Sequence, residues 1–106
     1  MDKFTAIAVE NSITWQKNRL QARFPAFVRF SVADQREFIK RHRDHALELG
    51  IDREEDIGTI LDCVTMYGED FFRQPWASDI LEQRALHGPD RMALIRHALI
   101  QAGFGI

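Results

Sequence analysis

The sequence has few of the residues that build a covalent framework or separate domains. Its 106 residues include one cysteine, Cys63, so the chain forms no internal disulfide. There are three prolines and six glycines, and they form no tract that would predict a linker. No run of about 18 apolar residues predicts a membrane span, and residues 1–20 lack the features of a signal peptide. We therefore expect one cytoplasmic domain that makes no contact with a membrane.

The net charge of the chain is also small. The chain has 14 Lys and Arg against 16 Asp and Glu, a net charge of −2, which gives no overall positive field for nucleic acid or an anionic membrane. The charges are distributed unevenly, because residues 11–43 are mainly basic and residues 52–70 mainly acidic. This pattern indicates either neighbouring helices that pair with each other or solvate their own outer faces, or a bipolar docking surface for a partner.

Apolar residues recur at the helical spacings of three and four along the chain. We predict an all-α fold, a single-domain bundle of four to five helices with mostly antiparallel neighbours. Ser31 and Asp52 are candidate helix N-caps, and Gly50 suits the left-handed conformation that ends a helix. We expect Phe27 and Phe30, which connect the first two helices, to fold over the core. The predicted helices cover residues 2–22, 32–49, 53–67, 76–86 and 90–102.

Two histidines have a spacing that could begin a metal site. His42 and His45 stand three residues apart on the predicted second helix, and Glu48 is one turn further on. His87 and His97 lie in other segments, so no second cluster is available. We interpret His42 and His45 as partly buried structural residues and predict no bound metal.

Among the acidic residues, Glu69 and Asp70 come closest to resembling a catalytic carboxylate pair. Adjacent residues rarely face one another, and no nucleophile, oxyanion device or phosphate-binding glycine loop accompanies them. Cys63 lies inside a predicted helix without a partnering base. We interpret the two acids as caps of the turn at Phe71 and Phe72, and we predict a protein that is not an enzyme and uses no cofactor.

One side of the predicted second helix is basic and consists of Arg36, Lys40 and Arg43. Nucleic-acid binding would use such a stripe, but Glu37 can pair with Arg41 across one turn, and Asp44 with Lys40. No recognised nucleic-acid-binding motif accompanies the stripe, so we favour a solvated or protein-binding face.

Four aromatic residues, Phe27, Phe30, Phe72 and Trp76, lie outside the regular helix stripes and are candidates for an apolar anchor patch. Burial in the connector is the favoured interpretation of the first two, which leaves Phe72 and Trp76. Exposed aromatic groups often anchor protein interfaces. We predict that both residues, together with the basic side of the second helix, contact a protein partner, and that Trp76 also covers the end of the bundle near Tyr67. A homodimer is a further candidate assembly.

Three segments carry a resemblance to known proteins. They are GIDREEDI at residues 50–57, MYGEDF at residues 66–71 and PWASDIL at residues 75–81. The chain resembles small uncharacterised bacterial proteins encoded beside type VI secretion spike, adaptor and effector genes, over about residues 34–95. It departs from their pattern at residues 72–74, between the phenylalanine and the proline, where those proteins often have an acid.

The resemblance implies an accessory role in handling or loading a secreted toxin, as a chaperone or co-adaptor of a type VI secretion effector. The implied partner is a protein, the effector or an adaptor, and no chemistry is attached to the matched positions. Two alternatives stay open: an immunity protein that neutralises a cognate toxin, and a nucleic-acid-binding regulator that uses the second helix.

Overall fold

The computed structural model describes the backbone of residues 3–102 and the side chains of residues 8–102. Within that part of the chain, five α-helices and two short 3-10 helices follow one another without a strand, which confirms the predicted all-α bundle. The 3-10 helices are Pro25–Arg29, between the first two α-helices, and Glu69–Arg73, after the third. The α-helices are α1 (Lys3–Arg23), α2 (Val32–Glu48), α3 (Glu54–Tyr67), α4 (Pro75–Leu81) and α5 (Gly88–Gln101).

Helix α3 forms the centre of the bundle. It packs against α1, α2, α5 and the second 3-10 helix, and every residue from 56 to 64 is buried. The apolar spacing predicts that Ile57, Ile60, Leu61 and Val64 face inward and that Cys63 lies on the flank. The four inward side chains are buried as predicted, and Cys63 is fully buried as well. The apolar spacing of α3 thus predicts its inward face correctly. It does not predict that the neighbouring helices also bury the flanks of α3.

The N-cap of α2 was predicted correctly and the N-cap of α3 was not. The Ser31 hydroxyl accepts a hydrogen bond from the Asp34 N–H at 3.1 Å, as a helix N-cap does. Asp52 is no cap, because α3 begins after Arg53 without a side-chain cap. The fully buried Ile51 donates its N–H to Ala46 at 2.9 Å, and this bond ties the chain to the end of α2 and delays the helix.

Helix α4 ends at Leu81, five residues before the predicted end at residue 86. In a longer helix, the Leu81 carbonyl would accept from the N–H four residues ahead. Here it accepts from Arg91 Nη1 at 2.7 Å, and the same nitrogen donates to the Leu49 carbonyl at 2.7 Å. Arg91 is only 3% exposed, so a buried guanidinium takes over the carbonyl that a longer α4 would have used.

Helix α5 begins at Gly88, two residues before the predicted start. A Cβ at this position would lie 2.8 Å from the Gly50 carbonyl oxygen, so the two chain segments approach too closely for any larger residue. Gly50 itself has φ of 82°, the left-handed conformation predicted for it. The helix ends at Gln101, one residue before the predicted end at residue 102, with Ala102 as its C-cap. Gly103, which was expected to stop the helix, lies outside the described residues.

The connector between α1 and α2 is less buried than expected, because only one of its two predicted core residues is buried. Phe27 is buried and packs edge-on against Phe38, with ring centroids 5.7 Å apart. Phe30 is 58% exposed, so the prediction that it folds over the core is wrong. Phe27 already covers this part of the core, and Phe30 lies at the turn where the chain leaves the 3-10 helix to enter α2.

The basic and acidic stretches of the sequence contact each other. Asp62 of α3 is fully buried and pairs with Arg19, whose Nη1 donates to Oδ1 at 2.9 Å, and with Arg23 at 3.3 Å. Arg41 of α2 pairs with Glu69 at 2.5 Å. The first interpretation of the uneven charge, neighbouring helices of opposite sign, accounts for these contacts.

None of the helices within residues 3–102 combines the length and the apolar character that a membrane span requires.

Candidate partner-binding site

The basic side of α2 is largely engaged by the protein itself. Arg36 forms an ion pair with Glu10 of α1, and Lys40 donates to Asp44 at 3.0 Å, as predicted. Arg36 and Lys40 keep 45% of their side-chain surface exposed. These two residues therefore stay accessible, with part of their charge already compensated.

Arg43 differs from the other two basic residues because it packs inside the bundle. Its Nε donates to the Ser12 hydroxyl of α1 at 2.8 Å, and its side chain is 14% exposed. Arg41, expected to pair with Glu37, instead binds Glu69 of the second 3-10 helix. The three predicted residues thus do not form one free basic stripe.

Phe72 and Trp76 each pack edge-on against the fully buried Phe71, and their other ring contacts are with different residues. Trp76 packs edge-on against Tyr67, with centroids 5.9 Å apart, and covers the end of the bundle as predicted. Phe72 instead contacts the His45 ring of α2, at a centroid distance of 4.0 Å. Both side chains are half-buried, so the fold uses each of them for packing.

A first cleft, the histidine cleft, opens between α2, the second 3-10 helix and α4. It has a volume of about 430 Å³ and is lined by His42, His45, Leu49, Glu69, Phe72 and Leu81. Charged groups from three elements stand around it: Arg41 from α2, Arg73 from the second 3-10 helix and Glu82 from the residue after α4. Aromatic walls thus meet charges of both signs.

His42 is the most buried polar group of this cleft. It is 5% exposed and packs between Phe38, at a centroid distance of 4.8 Å, and Phe72. Burial lowers the pKa of His42, the positive charge of Arg41 adds to this effect, and Glu69 opposes it. The imidazole is therefore neutral at pH 7, in agreement with its interpretation as a structural residue.

The Nε2 atom of His42 is buried and has no hydrogen-bond partner among the described residues. It lies 3.8 Å from Oε1 of Glu69, the same oxygen that binds Arg41. Within the part of the chain that is described, no group of three His, Cys, Asp or Glu could hold a metal ion. His42, His45 and Glu48 therefore do not converge as ligands.

A second cleft, the aromatic groove, lies between the first 3-10 helix, α2 and α3. Its volume is about 430 Å³, and its apolar lining consists of Phe27, Phe30, Phe38 and Val64. Phe30 extends the exposed apolar surface, together with Val28 at 56% and Val32 at 70% exposure. Sequence reasoning favoured burial of Phe27 and Phe30 over their role in an anchor patch, and it did not identify this groove. The sequence did contain a sign of an exposed apolar surface here. Apolar residues stand at positions 27, 28, 30 and 32, and one short turn cannot bury all of them.

The edge of the aromatic groove is acidic. Asp34 and Glu37 of α2 line it, and neither carboxylate forms an ion pair with another described residue. Arg41 lines the groove as well, but it is held by Glu69. Because Arg41 belongs to both clefts, the Arg41–Glu69 pair forms the ridge that separates them.

The other candidate reactive groups take structural positions. Burial, together with the nearby Asp62 carboxylate, raises the pKa of the Cys63 thiol to about 12, so the thiol stays protonated and a poor nucleophile at neutral pH. Asp70 is exposed and lies 3.6 Å from Arg73. The predicted capping by Glu69 or Asp70 is wrong, because the second 3-10 helix has no side-chain cap.

Comparison of the chain with protein-family models, with curated proteins and with solved structures gave no match. The interpretation of the site therefore rests on its residues.

Proposed function

We propose that this protein is a non-enzymatic binding module that holds a protein partner in the aromatic groove. The observation that supports this most is the exposure of Phe30, which lies 6.2 Å from the buried Phe27 ring and leaves more than half of its own surface uncovered. A large apolar side chain at the edge of an apolar groove is a typical interface anchor.

The chemistry of the groove specifies the partner segment. Apolar side chains of the partner would cover Phe30 and Phe38, and a lysine or arginine would lie against Asp34 and Glu37, whose charges have no ion-pair partner among the described residues. Such pairing at an interface rim adds specificity and speeds association. The occupant is thus an apolar segment that carries basic residues.

The biological context of the proposal comes from the sequence resemblance alone. It supports a cytoplasmic accessory factor, a chaperone or co-adaptor, for a type VI secretion effector. In this proposal, Arg36 and Lys40, which are half-exposed, contribute a secondary contact beside the groove, and Arg43 contributes little because it is mostly buried.

Co-expression with the effector encoded by the neighbouring gene tests the role. A chaperone or co-adaptor should raise the soluble yield of the effector and leave its toxicity intact. Abolished toxicity would instead identify an immunity protein. Retardation of DNA with a steep salt dependence, without effector binding, would identify a regulator. Light scattering of the purified protein tests whether it forms a homodimer.

A further inference from the structure

The histidine cleft contains a buried polar group that the fold leaves unpaired. His42 Nε2 has no hydrogen-bond partner among the described residues, although the side chain is only 6% exposed. Leaving such a group unpaired costs free energy. Glu69 lies just too far from it, at 3.8 Å, and is already bound to Arg41.

The ion pair with Arg41 holds the Glu69 carboxylate only weakly in the histidine cleft. Its side chain is 64% exposed and that of Arg41 is 54% exposed, and ion pairs between exposed groups contribute little to stability. The carboxylate can therefore rotate into solvent at small cost. When it does, Arg41 loses its partner and the space beside His42 Nε2 becomes open to another group.

The charge of the emptied cleft then favours an anion. Without Glu69, Arg41 has no ion-pair partner among the described residues and lies beside the imidazole of His42, whereas Arg73 stays 3.6 Å from Asp70. Phe72 and His45, with ring centroids 4.0 Å apart, supply a flat apolar wall, and Leu49 and Leu81 supply an aliphatic one. A volume of about 430 Å³ suits a small molecule, since such sites measure about 300–1,000 Å³.

We propose that the histidine cleft binds a small organic carboxylate with a flat apolar body, and that Glu69 occupies the position of the ligand's carboxylate until the ligand displaces it. Arg41 then binds the ligand carboxylate, His42 Nε2 donates a hydrogen bond to it, and the apolar body packs against Phe72 and His45. This site shares Arg41 with the lining of the aromatic groove, but it uses none of the residues proposed to bind the protein partner in that groove.

The test compares the wild-type protein with Glu69→Gln, using 4-fluorophenylacetate as the probe and fluorine NMR to measure Kd. Glu69→Gln should bind the probe more tightly, by up to about fivefold, because it removes the carboxylate that competes for Arg41 in an exposed ion pair. Adding Arg41→Gln to Glu69→Gln should remove the gain. Glu55→Gln, which neutralises an exposed glutamate paired with Arg53 outside the cleft, is the matched control and should bind like wild type.

Two further measurements distinguish this site from general apolar binding. The uncharged 4-fluorophenylacetamide should bind Glu69→Gln much more weakly than the acid, and the acid should shift the imidazole NMR signals of His42. Equal affinity of wild type and Glu69→Gln for the acid would overturn the proposal. So would equal binding of acid and amide, or an unchanged His42 spectrum at saturation.

Discussion

Buried charged side chains set the positions of the helices around α3. Asp62 is fully buried and accepts hydrogen bonds from Arg19, while Asp56 is 2% exposed and binds Arg96 Nη2 at 2.6 Å. Each carboxylate joins α3 to a different helix, α1 in the first case and α5 in the second. A buried charge needs its partner at a defined place, so these two pairs fix how α1 and α5 lie on α3.

Asp62→Asn should lower the free energy of unfolding by about 2–4 kcal/mol, because it removes the counter-charge of a partly buried guanidinium. Urea unfolding followed by circular dichroism measures the change. Asp70→Asn is the matched control, since the Asp70 side chain is 72% exposed, and it should change stability by less than about 0.5 kcal/mol. Similar effects of the two substitutions would show that the buried pair is not important for stability.

His42 should make the protein less stable in weak acid. Burial lowers the pKa of the folded imidazole below the ordinary value of 6.5, so below that pH the unfolded chain binds more protons than the folded protein. The free energy of unfolding should be constant above this pH and should fall as the pH drops below it. Urea unfolding between pH 7.5 and pH 5.5 measures this.

Histidine variants separate this effect from other titrations. His42→Phe, which can keep the packing between Phe38 and Phe72, should flatten the pH dependence. His87→Gln, at an exposed position, should leave it as in wild type. An equally steep loss of stability in His42→Phe would contradict the assignment to this imidazole.

At the scale of elements, Arg91 of α5 joins the ends of two other helices. Its Nη1 donates to the Leu49 carbonyl after α2 and to the Leu81 carbonyl at the end of α4. Both carbonyls lie at the negative end of a helix dipole, where a cation is favourable. One side chain thus closes α2 and α4 and positions both against α5.

Arg91→Met should lower the free energy of unfolding by about 2–4 kcal/mol, because two carbonyls lose their charged donor while the apolar stem is largely kept. Thermal and urea unfolding measure the loss. Arg84→Met, in the exposed turn after α4, is the control and should have little effect. An Arg91→Met protein as stable as wild type would mean that water replaces the guanidinium at no cost.

The elements that the sequence predicts correctly are those governed by local chemistry. The spacing of apolar residues and the Ser31 cap are local features, and α1 to α3 begin and end within about two residues of the prediction. The end of α4 depends on Arg91, ten residues further along the chain. The start of α3 depends on the burial of Ile51. Neither contact is visible in a local pattern.

The candidate sites were harder to predict for the same reason. The basic pattern of α2 correctly suggested exposed charge at Arg36 and Lys40, but it could not show that Arg43 turns toward Ser12 of α1. Likewise, sequence alone could not decide which of Phe27 and Phe30 enters the core. That choice depends on the position of Phe38, a residue of the next helix.

At the scale of the whole molecule, opposite charges are used mainly to hold the bundle together. Arg19 and Arg23 meet Asp62, and Arg41 meets Glu69, so much of the bipolar pattern is internal. What stays available to a partner is the apolar surface around Phe30 and the acidic edge beside it. The proposed function therefore depends on this groove more than on the basic side of α2.

The affinity for the neighbouring gene's effector, measured by calorimetry on purified proteins, tests this proposal most directly. Phe30→Ala should weaken binding at least about tenfold, as expected for an interface anchor, without lowering stability much. Ile100→Ala, which truncates a side chain of 63% exposure on α5, should bind like wild type. An effector that binds Phe30→Ala as tightly as the wild-type protein would contradict the account.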